Sequence, residues 1–510
     1  MNWLLIVSVG LLVGLWLRWR YKNRKLIQLA NKFHGPPTLP FIGNALQFMC
    51  RPEELSNVVQ SLIREYGDVF RFWLGPDLNI VVSELNDLKT LLTNSKVNFK
   101  GPQYKYMADI LGGGILSGSG PTWRRHRKLA IPNYGKRAIE SYSNTFNKEV
   151  DLLMSNLRSK DDKQFNIYDD IVRSTSYTIC QTLMGLTKDQ TLGIPHIHDL
   201  IKETSRIYDI VFDRMTKWYL QIDPIFWMTP SYRQQNHFIK MISEFSLKIM
   251  EHRMERLKTI EVKNKNDLMN SELDDEKNTE LSVIDRFILS KELSTEELIQ
   301  ETFTVFTSSQ EASAKISSAI LLMMAYHPEC QEKLYAEIKT VLGEEDRWVT
   351  DDDFKRMPYL DMVFKEVLRL YPIGAMIQRT VVDDVAISSG TVPAGSSLVV
   401  PIYHIQRDPR YWTNPDKFDP ERFNADNTMK RHPNCYIPFS LGPMDCLGRH
   451  FGTKLIKTIC VKVLNEFKLT STNKYEDLRL TIAVSAASMD GFYLKLQPRS
   501  QNKKLLRYGK

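Results

Sequence analysis

Phe439 to Gly452 reads FSLGPMDCLGRHFG and runs directly into an apolar stretch of helical spacing that continues through Leu464. Its cysteine, Cys446, sits between Gly442 and Gly448 just ahead of a helix start. Glycines let backbone N–H groups approach a sulfur, and the positive end of a following helix favours negative charge, so the segment is built to hold a metal-binding thiolate. Phe439 would pack beside the sulfur and exclude water. A lone Cys-x-Gly is equally well read as a buried structural cysteine, so the blocks upstream of it decide the matter.

Working outward, Lys365 to Pro372 reads KEVLRLYP and places Glu366 and Arg369 at i and i+3 on one helical face, where they can pair. Lys417 to Phe423 reads KFDPERF, and its Arg422 can complete a charge trio with them, because a buried carboxylate needs several donors. Further upstream, Thr122 to Lys128 reads TWRRHRK. Each block alone has a plainer reading: a solvated ion pair, a surface arginine, a core tryptophan. Their order, ExxR, then PERF, then FxxGxxxCxG, is what carries the inference.

From Gly35 to about Pro498 the chain resembles the cytochrome P450 superfamily of haem-thiolate monooxygenases. The resemblance implies a mainly α fold with a smaller β region, haem b as cofactor, and Cys446 as the axial ligand of its iron. It also implies that Trp123, Arg127 and Arg379 reach the haem propionates, a task suited to fixed or forked donors. Phe439, Gly442 and Gly448 shape the thiolate loop, and Glu366, Arg369 and Arg422 form a structural trio. LGGGILSGSGPTWRRHRK and HIQRDPRYWTNPDKFDPERF are similar to the branch containing animal fatty-acid omega-hydroxylases and related insect enzymes. That likeness implies a lipophilic substrate (a fatty acid, hormone-like lipid or xenobiotic) and NADPH electrons delivered by a flavoprotein reductase, with a cytochrome b-type donor as a second source. Arg124, Arg125, Lys128, Lys136, Arg449 and Lys454 would lie on the thiolate side and suit an acidic electron donor.

Two departures stand out against that family pattern. Ser294 with Glu297 forms a capping box, and a helical pattern then runs to Tyr326, ended by His327 and Pro328. Within it, SSQEAS (Ser308 to Ser313) aligns with the family's oxygen-activation element. Glu311 takes the acidic position and Ala312 replaces the usual threonine, with Ser313 beside it keeping a hydroxyl. The loss implies leakage of reducing equivalents unless Glu311, Ser313 or the substrate compensates. Ser308 stands where the omega-hydroxylase branch often carries a glutamate, so no covalent haem link is expected. The polar stretch from Phe306 to Ala314 could form a kinked pocket wall. In the thiolate loop Met444 replaces the usual arginine, which removes one propionate donor and implies looser haem. An oxygen-independent peroxide isomerase or dehydratase, and a catalytically impaired family member, are the alternatives these departures leave open.

The 510 residues, 43% hydrophobic and 25% charged, are enough for a large core and exclude a disordered or fibrous chain. No repeat or flexible linker divides them, so one large domain over residues 45–500 is favoured. A net charge of +8 fits a membrane surface or acidic partner and gives no reason to invoke nucleic acid. Six scattered cysteines without CxxC spacing read as reduced thiols, and no zinc pattern is present. Met1 to Leu17 is almost wholly apolar and is followed by Arg18, Arg20, Lys22, Arg24 and Lys25. Residues 1–25 therefore read as an N-terminal membrane helix with a basic stop, in the reverse order of a cleaved signal peptide, leaving the catalytic domain on the cytosolic face of the endoplasmic reticulum. Residues 26–44, with three prolines in HGPPTLPFIG, read as a stiff connector. Glu261 to Glu280 reads as a solvated surface insertion and residues 501–510 as a basic tail.

Overall fold

Apolar residues recur at three- and four-residue spacing through most of the chain, and the computed structural model folds these stretches as helices. It describes residues 2–160, 163–264, 281–345, 347–482 and 485–499; most of the expected surface insertion and all of the basic tail lie outside the described residues. The helices used below are α1 (Asn2–Lys22), α2 (Arg24–Ala30), α3 (Gly120–Ala130), α4 (Ser143–Arg158), α5 (Tyr168–Thr182), α6 (Ile197–Thr216), α7 (Pro230–Asn264), α8 (Thr295–Tyr326), α9 (Pro358–Leu370) and α10 (Arg449–Glu466). Four strands, β1 (Val69–Leu74), β2 (Asp77–Val82), β3 (Ile377–Thr380) and β4 (Ser397–Val400), form one sheet in the order β1-β2-β4-β3.

Helix α8 is the axis of the molecule. It packs against α5, α7, α9 and α10, and Phe303, Phe306, Ile320 and Leu321 are fully buried along it. Ser294 caps it in a capping box with Glu297, and it ends at Tyr326 before Pro328. α8 is unbroken from Phe306 to Ala314, so the backbone groups of the polar stretch stay in the helical ladder. Hydroxyls in this region satisfy themselves on carbonyls without opening the helix: Ser308 Oγ donates to Thr304 O at 2.6 Å and Thr302 Oγ1 to Leu298 O at 2.7 Å.

In the sheet, β1 and β2 form an antiparallel hairpin, β2 pairs with β4 in parallel, and β4 pairs with β3 in antiparallel sense, Arg379 opposite Leu398. An isolated bridge then joins Arg379 to Lys100. The sheet thus carries a basic residue of β3 to a second basic residue from a distant loop. The proline-rich connector lies along β1: Arg71 N–H donates to His34 O at 2.8 Å, and Asn44 exchanges bonds with Trp73.

α1 is helical, but among the described residues no helix is long and apolar enough to cross a membrane. Arg18, Arg20 and Lys22 fall inside α1, so its uncharged part ends at Leu17. At 1.5 Å per residue that part is about 24 Å long, against a hydrocarbon core of about 30 Å. The base of α1 docks on the sheet, with Trp19 edge-on to Trp73 at 5.6 Å. All six cysteines are free.

Candidate active site

The loop before α10 is tied by its own backbone. Cys446 N–H donates to Phe439 O at 3.0 Å, and Asp445 N–H to Gly442 O at 3.1 Å. Gly442 has φ +78, and a side chain there would collide with the carbonyl oxygen of Leu92, so both conformation and space require glycine. Gly448 differs: its φ is −81 and it begins α10 as the N-cap. Its contribution is the backbone N–H, which bonds to Cys446. Arg449 stacks over the Phe439 ring at 5.2 Å.

Cys446 lies deep in the protein body and is nevertheless exposed, the signature of a group that faces an internal hollow. Burial pushes its thiol above the ordinary value, while the Gly448 N–H, Arg127 and Arg449 oppose that rise. Such a sulfur is held as a thiolate when a coordinated metal ion takes the place of the proton.

Cations converge on the same hollow. Lys100 is deep yet only partly covered, and its ammonium lies well below the lysine range because of burial first, then Arg379 and Arg127, with Cys446 acting in the opposite sense. Arg379 is 3% exposed, and the acceptor its guanidinium finds is the carbonyl of Gln378 at 3.1 Å. Neither Lys100 nor Arg379 pairs with a carboxylate among the described residues. Arg127 grips the loop, Nη2 to Asp445 Oδ1 at 2.7 Å and Nη1 to Asp445 O at 2.8 Å, and its guanidinium lies 5.5 Å from the centre of the buried Trp123 ring. A sulfur facing a hollow beside one buried and one half-buried cation, neither with a carboxylate partner among the described residues, fits a metal-centred group bearing two carboxylates, as haem does.

Lys100 is not legible in the sequence, since KGPQYKY has no pattern that sets one lysine apart and its bridge to Arg379 is long-range. Met444 is buried at 6% exposure.

The charge trio is brought together behind the loop. Glu366 and Arg369 are fully buried and bidentate, Nε to Oε2 at 2.7 Å and Nη2 to Oε1 at 2.8 Å. Arg422 Nε stands 3.4 Å from Glu366 Oε1, and Asp419 N–H donates to the same oxygen at 2.9 Å. Arg369 also donates to the carbonyls of Gln406 and Pro415, which pins the segment between α9 and the PERF block.

On α8, Ser308 is exposed in the middle of a buried helix, and Ala312 one turn on is half-buried, so this face fronts a hollow. Glu311 is buried and ion-paired with Lys315, Nζ to Oε1 at 2.5 Å, and Lys315 Nζ also reaches Ser485 Oγ at 2.5 Å. Tyr208 of α6, hydrogen-bonded to Thr307 at 3.2 Å, is pushed well above the tyrosine range by burial and then by Glu311. Ser313 points elsewhere: its hydroxyl lies 3.8 Å from where a Cβ on Gly452 of α10 would be. Glu311 and Ser313 therefore occupy different faces of α8. Lys315 was missed in the sequence although its i+4 spacing from Glu311 was a usable signal.

Arg124, Lys128, Lys136 and Arg449 are exposed, and Arg125 pairs with Glu297 at 2.7 Å. Lys454 leaves this group. It is 8% exposed and bonded to Asp351 at 2.9 Å and Ser143 at 2.6 Å, because α10 buries that face against α4 and its neighbours.

A deep cysteine loop at the start of a helix, a buried Glu–Arg–Arg trio behind it, and a long helix crossing the hollow define a haem-thiolate protein. The cytochrome P450 family model matches residues 33–486, and the chain belongs to that family. It is 28% identical to cytochrome P450 4c3 of Drosophila melanogaster over 94% of this chain and 91% of that protein. It is 29% identical to cytochrome P450 4d2 of the same organism, over 98% and 99%, and 28% identical to human cytochrome P450 4V2, over 91% and 89%. The protein is a monooxygenase of the haem-thiolate type.

Proposed function

We propose that the protein inserts one oxygen atom of O2 into a lipophilic substrate, with NADPH electrons delivered by a membrane-bound flavoprotein reductase. The observation that carries this reading is Cys446, facing a hollow edged by Lys100, Arg127 and Arg379. Haem, if bound here, would supply oxygen activation, with the Cys446 thiolate as the electron-donating ligand. Cys446 Sγ would hold the iron, and the Gly448 N–H would steady the charge on sulfur. Arg379 and Lys100 would hold the two carboxylates, while Arg127 fixes the loop through Asp445. Ala312 offers no hydroxyl, so proton delivery along that part of α8 would fall to the Ser308 hydroxyl and to Glu311, which Lys315 holds in an ion pair. Exposed Arg124, Lys128, Lys136 and Arg449 form the surface for an acidic electron donor. α1, with its basic end, holds the domain at the cytosolic face of the endoplasmic reticulum.

The test is spectral and catalytic together. Reduced protein under carbon monoxide should show a strongly red-shifted Soret band that Cys446→Ala abolishes, and fatty-acid oxidation should require both NADPH and reductase. Turnover of lipid hydroperoxides without either would replace this reading with the peroxide isomerase. A Cys446→Ala spectrum identical to the parent would overturn it altogether.

A further inference from the structure

A second cavity, of about 540 Å³, lies away from the cysteine loop, where α1 and the connector meet β1. Its walls include Trp16, Trp19, Phe41 and Trp73, and two guanidinium groups, Arg20 and Arg71, line the same space. That volume falls in the range of small-molecule sites, and rings of this kind present an apolar body with a polar edge.

Among the described residues the two cations lack acidic partners. Arg71 is partly buried in β1, its Nε is buried without a hydrogen-bond acceptor, and burial lowers the pKa of its guanidinium. Arginine stays charged in proteins, so a half-covered guanidinium without a counter-ion favours an incoming anion. Arg20 stacks on Trp16 at 4.9 Å and pairs with no carboxylate among the described residues. Aromatic walls argue against a small inorganic anion, which would leave them wet, and in favour of a ligand with a chain attached to its charge. The position points the same way. Arg20 lies just past Leu17, where the uncharged part of α1 ends, and Leu15, Leu17, Leu39 and Phe41 are exposed around it. An apolar helix that gives way to arginines marks the depth of lipid headgroups, where anionic lipids attract basic side chains.

We propose that this cavity binds a single anionic phospholipid, its phosphate held by Arg71 and Arg20 and an acyl chain laid against Trp16, Trp19, Phe41 and Trp73. The bound lipid joins α1 to the sheet and sets the angle at which the domain leaves the membrane. Nothing in this site touches the cysteine loop, so its failure leaves the monooxygenase reading intact.

The experiment uses the full chain with haem, purified in non-ionic detergent. It is titrated with phosphatidic acid, with phosphatidylcholine of the same acyl chains, and with inorganic phosphate, and followed by native mass spectrometry and tryptophan fluorescence. Phosphatidic acid should bind saturably at one per chain, phosphatidylcholine about ten-fold more weakly, and inorganic phosphate should change neither signal. Arg71→Gln should weaken phosphatidic acid about ten-fold or more, Arg71→Lys should retain most of the affinity, and Arg18→Gln, on α1 but outside the cavity, should match the parent. The carbon-monoxide spectrum reports whether each variant is folded; if Arg71→Gln is not, Arg20→Gln takes its place. Equal affinity for the two lipids, binding of inorganic phosphate as tight as the lipid, or parental affinity in the folded Arg71 or Arg20 variant would each overturn the proposal.

Discussion

Replacing Lys100 with methionine should move two properties in opposite directions. Lys100 faces Arg379 across an antiparallel bridge, with Arg127 nearby, and no carboxylate among the described residues offsets Lys100 and Arg379. Arg127 is already engaged with Asp445. In haem-depleted protein Lys100 adds desolvation and repulsion, so Lys100→Met should raise the unfolding temperature of that form. On the proposed reading Lys100 would supply, in haem-loaded protein, a charge-assisted bond to a carboxylate, worth about 1.5–3 kcal/mol when its partner stays buried. Its loss should therefore speed haem release roughly ten- to 150-fold.

Haem transfer to excess apomyoglobin, followed in the Soret region, reads the second effect, and thermal denaturation of haem-depleted protein reads the first. Lys100→Arg should keep the parental rate. Met444→Arg added to Lys100→Met should recover much of the retention, because it restores a cation to the same hollow from the loop side. Haem release at the parental rate from Lys100→Met, or destabilised haem-depleted protein, would refute the reasoning.

Three further outcomes follow from the geometry. Glu366→Gln leaves Arg369 and Arg422 buried with carbonyl partners only, and should cost about 3–5 kcal/mol, seen as a large fall in the urea midpoint and in recovered holoprotein. His404 Nε2–H donates to Ser56 O at 3.0 Å, and burial depresses its pKa to about 4 from 6.5. Because the unfolded chain binds that proton first, the neutral-histidine contribution is complete above pH 6.5 and is lost as pH falls toward 4; His404→Gln should flatten stability across that window, and an unchanged profile would exclude His404 as its source. Lys315→Met releases Glu311 from its ion pair and should lower the hydrogen peroxide released per NADPH consumed, with the carbon-monoxide spectrum unaltered. Unchanged peroxide in both Lys315→Met and Ala312→Thr would remove Glu311 from proton delivery.

What was legible in the sequence is what repeats locally or sits in a short block. The α8 cap at Ser294, the Glu366–Arg369 face and the Gly442 turn are all set by residues within a few positions of one another. Tertiary placement was not legible. Lys454 reads as a surface cation until α10 is packed against α4, and Lys100 gains its meaning only from a bridge to β3. Gly448 reads with Gly442 as a loop glycine whose N–H can approach the sulfur; its φ of −81 needs no glycine, and the N–H bonds to Cys446. α1 was read as a spanning helix from its apolar run, whereas the helix continues through Arg18, Arg20 and Lys22 and leaves the uncharged part short.

The two departures from the family pattern have different structural fates. Met444 removes a cation from the thiolate loop, yet Lys100 supplies one to the same hollow from the bridge with Arg379, so haem retention need not suffer as the loop alone implied. Ala312 removes a hydroxyl from the face of α8 that fronts the hollow, and Ser313 cannot restore it because that hydroxyl is turned toward Gly452 of α10. What remains there is the Ser308 hydroxyl, bonded to Thr304 O, with buried Glu311 beside it ion-paired to Lys315. The cofactor site is thus compensated and the proton-delivery site is altered. Retention and coupling should separate in experiment: haem release close to that of relatives retaining the loop arginine, together with a raised share of NADPH lost to peroxide.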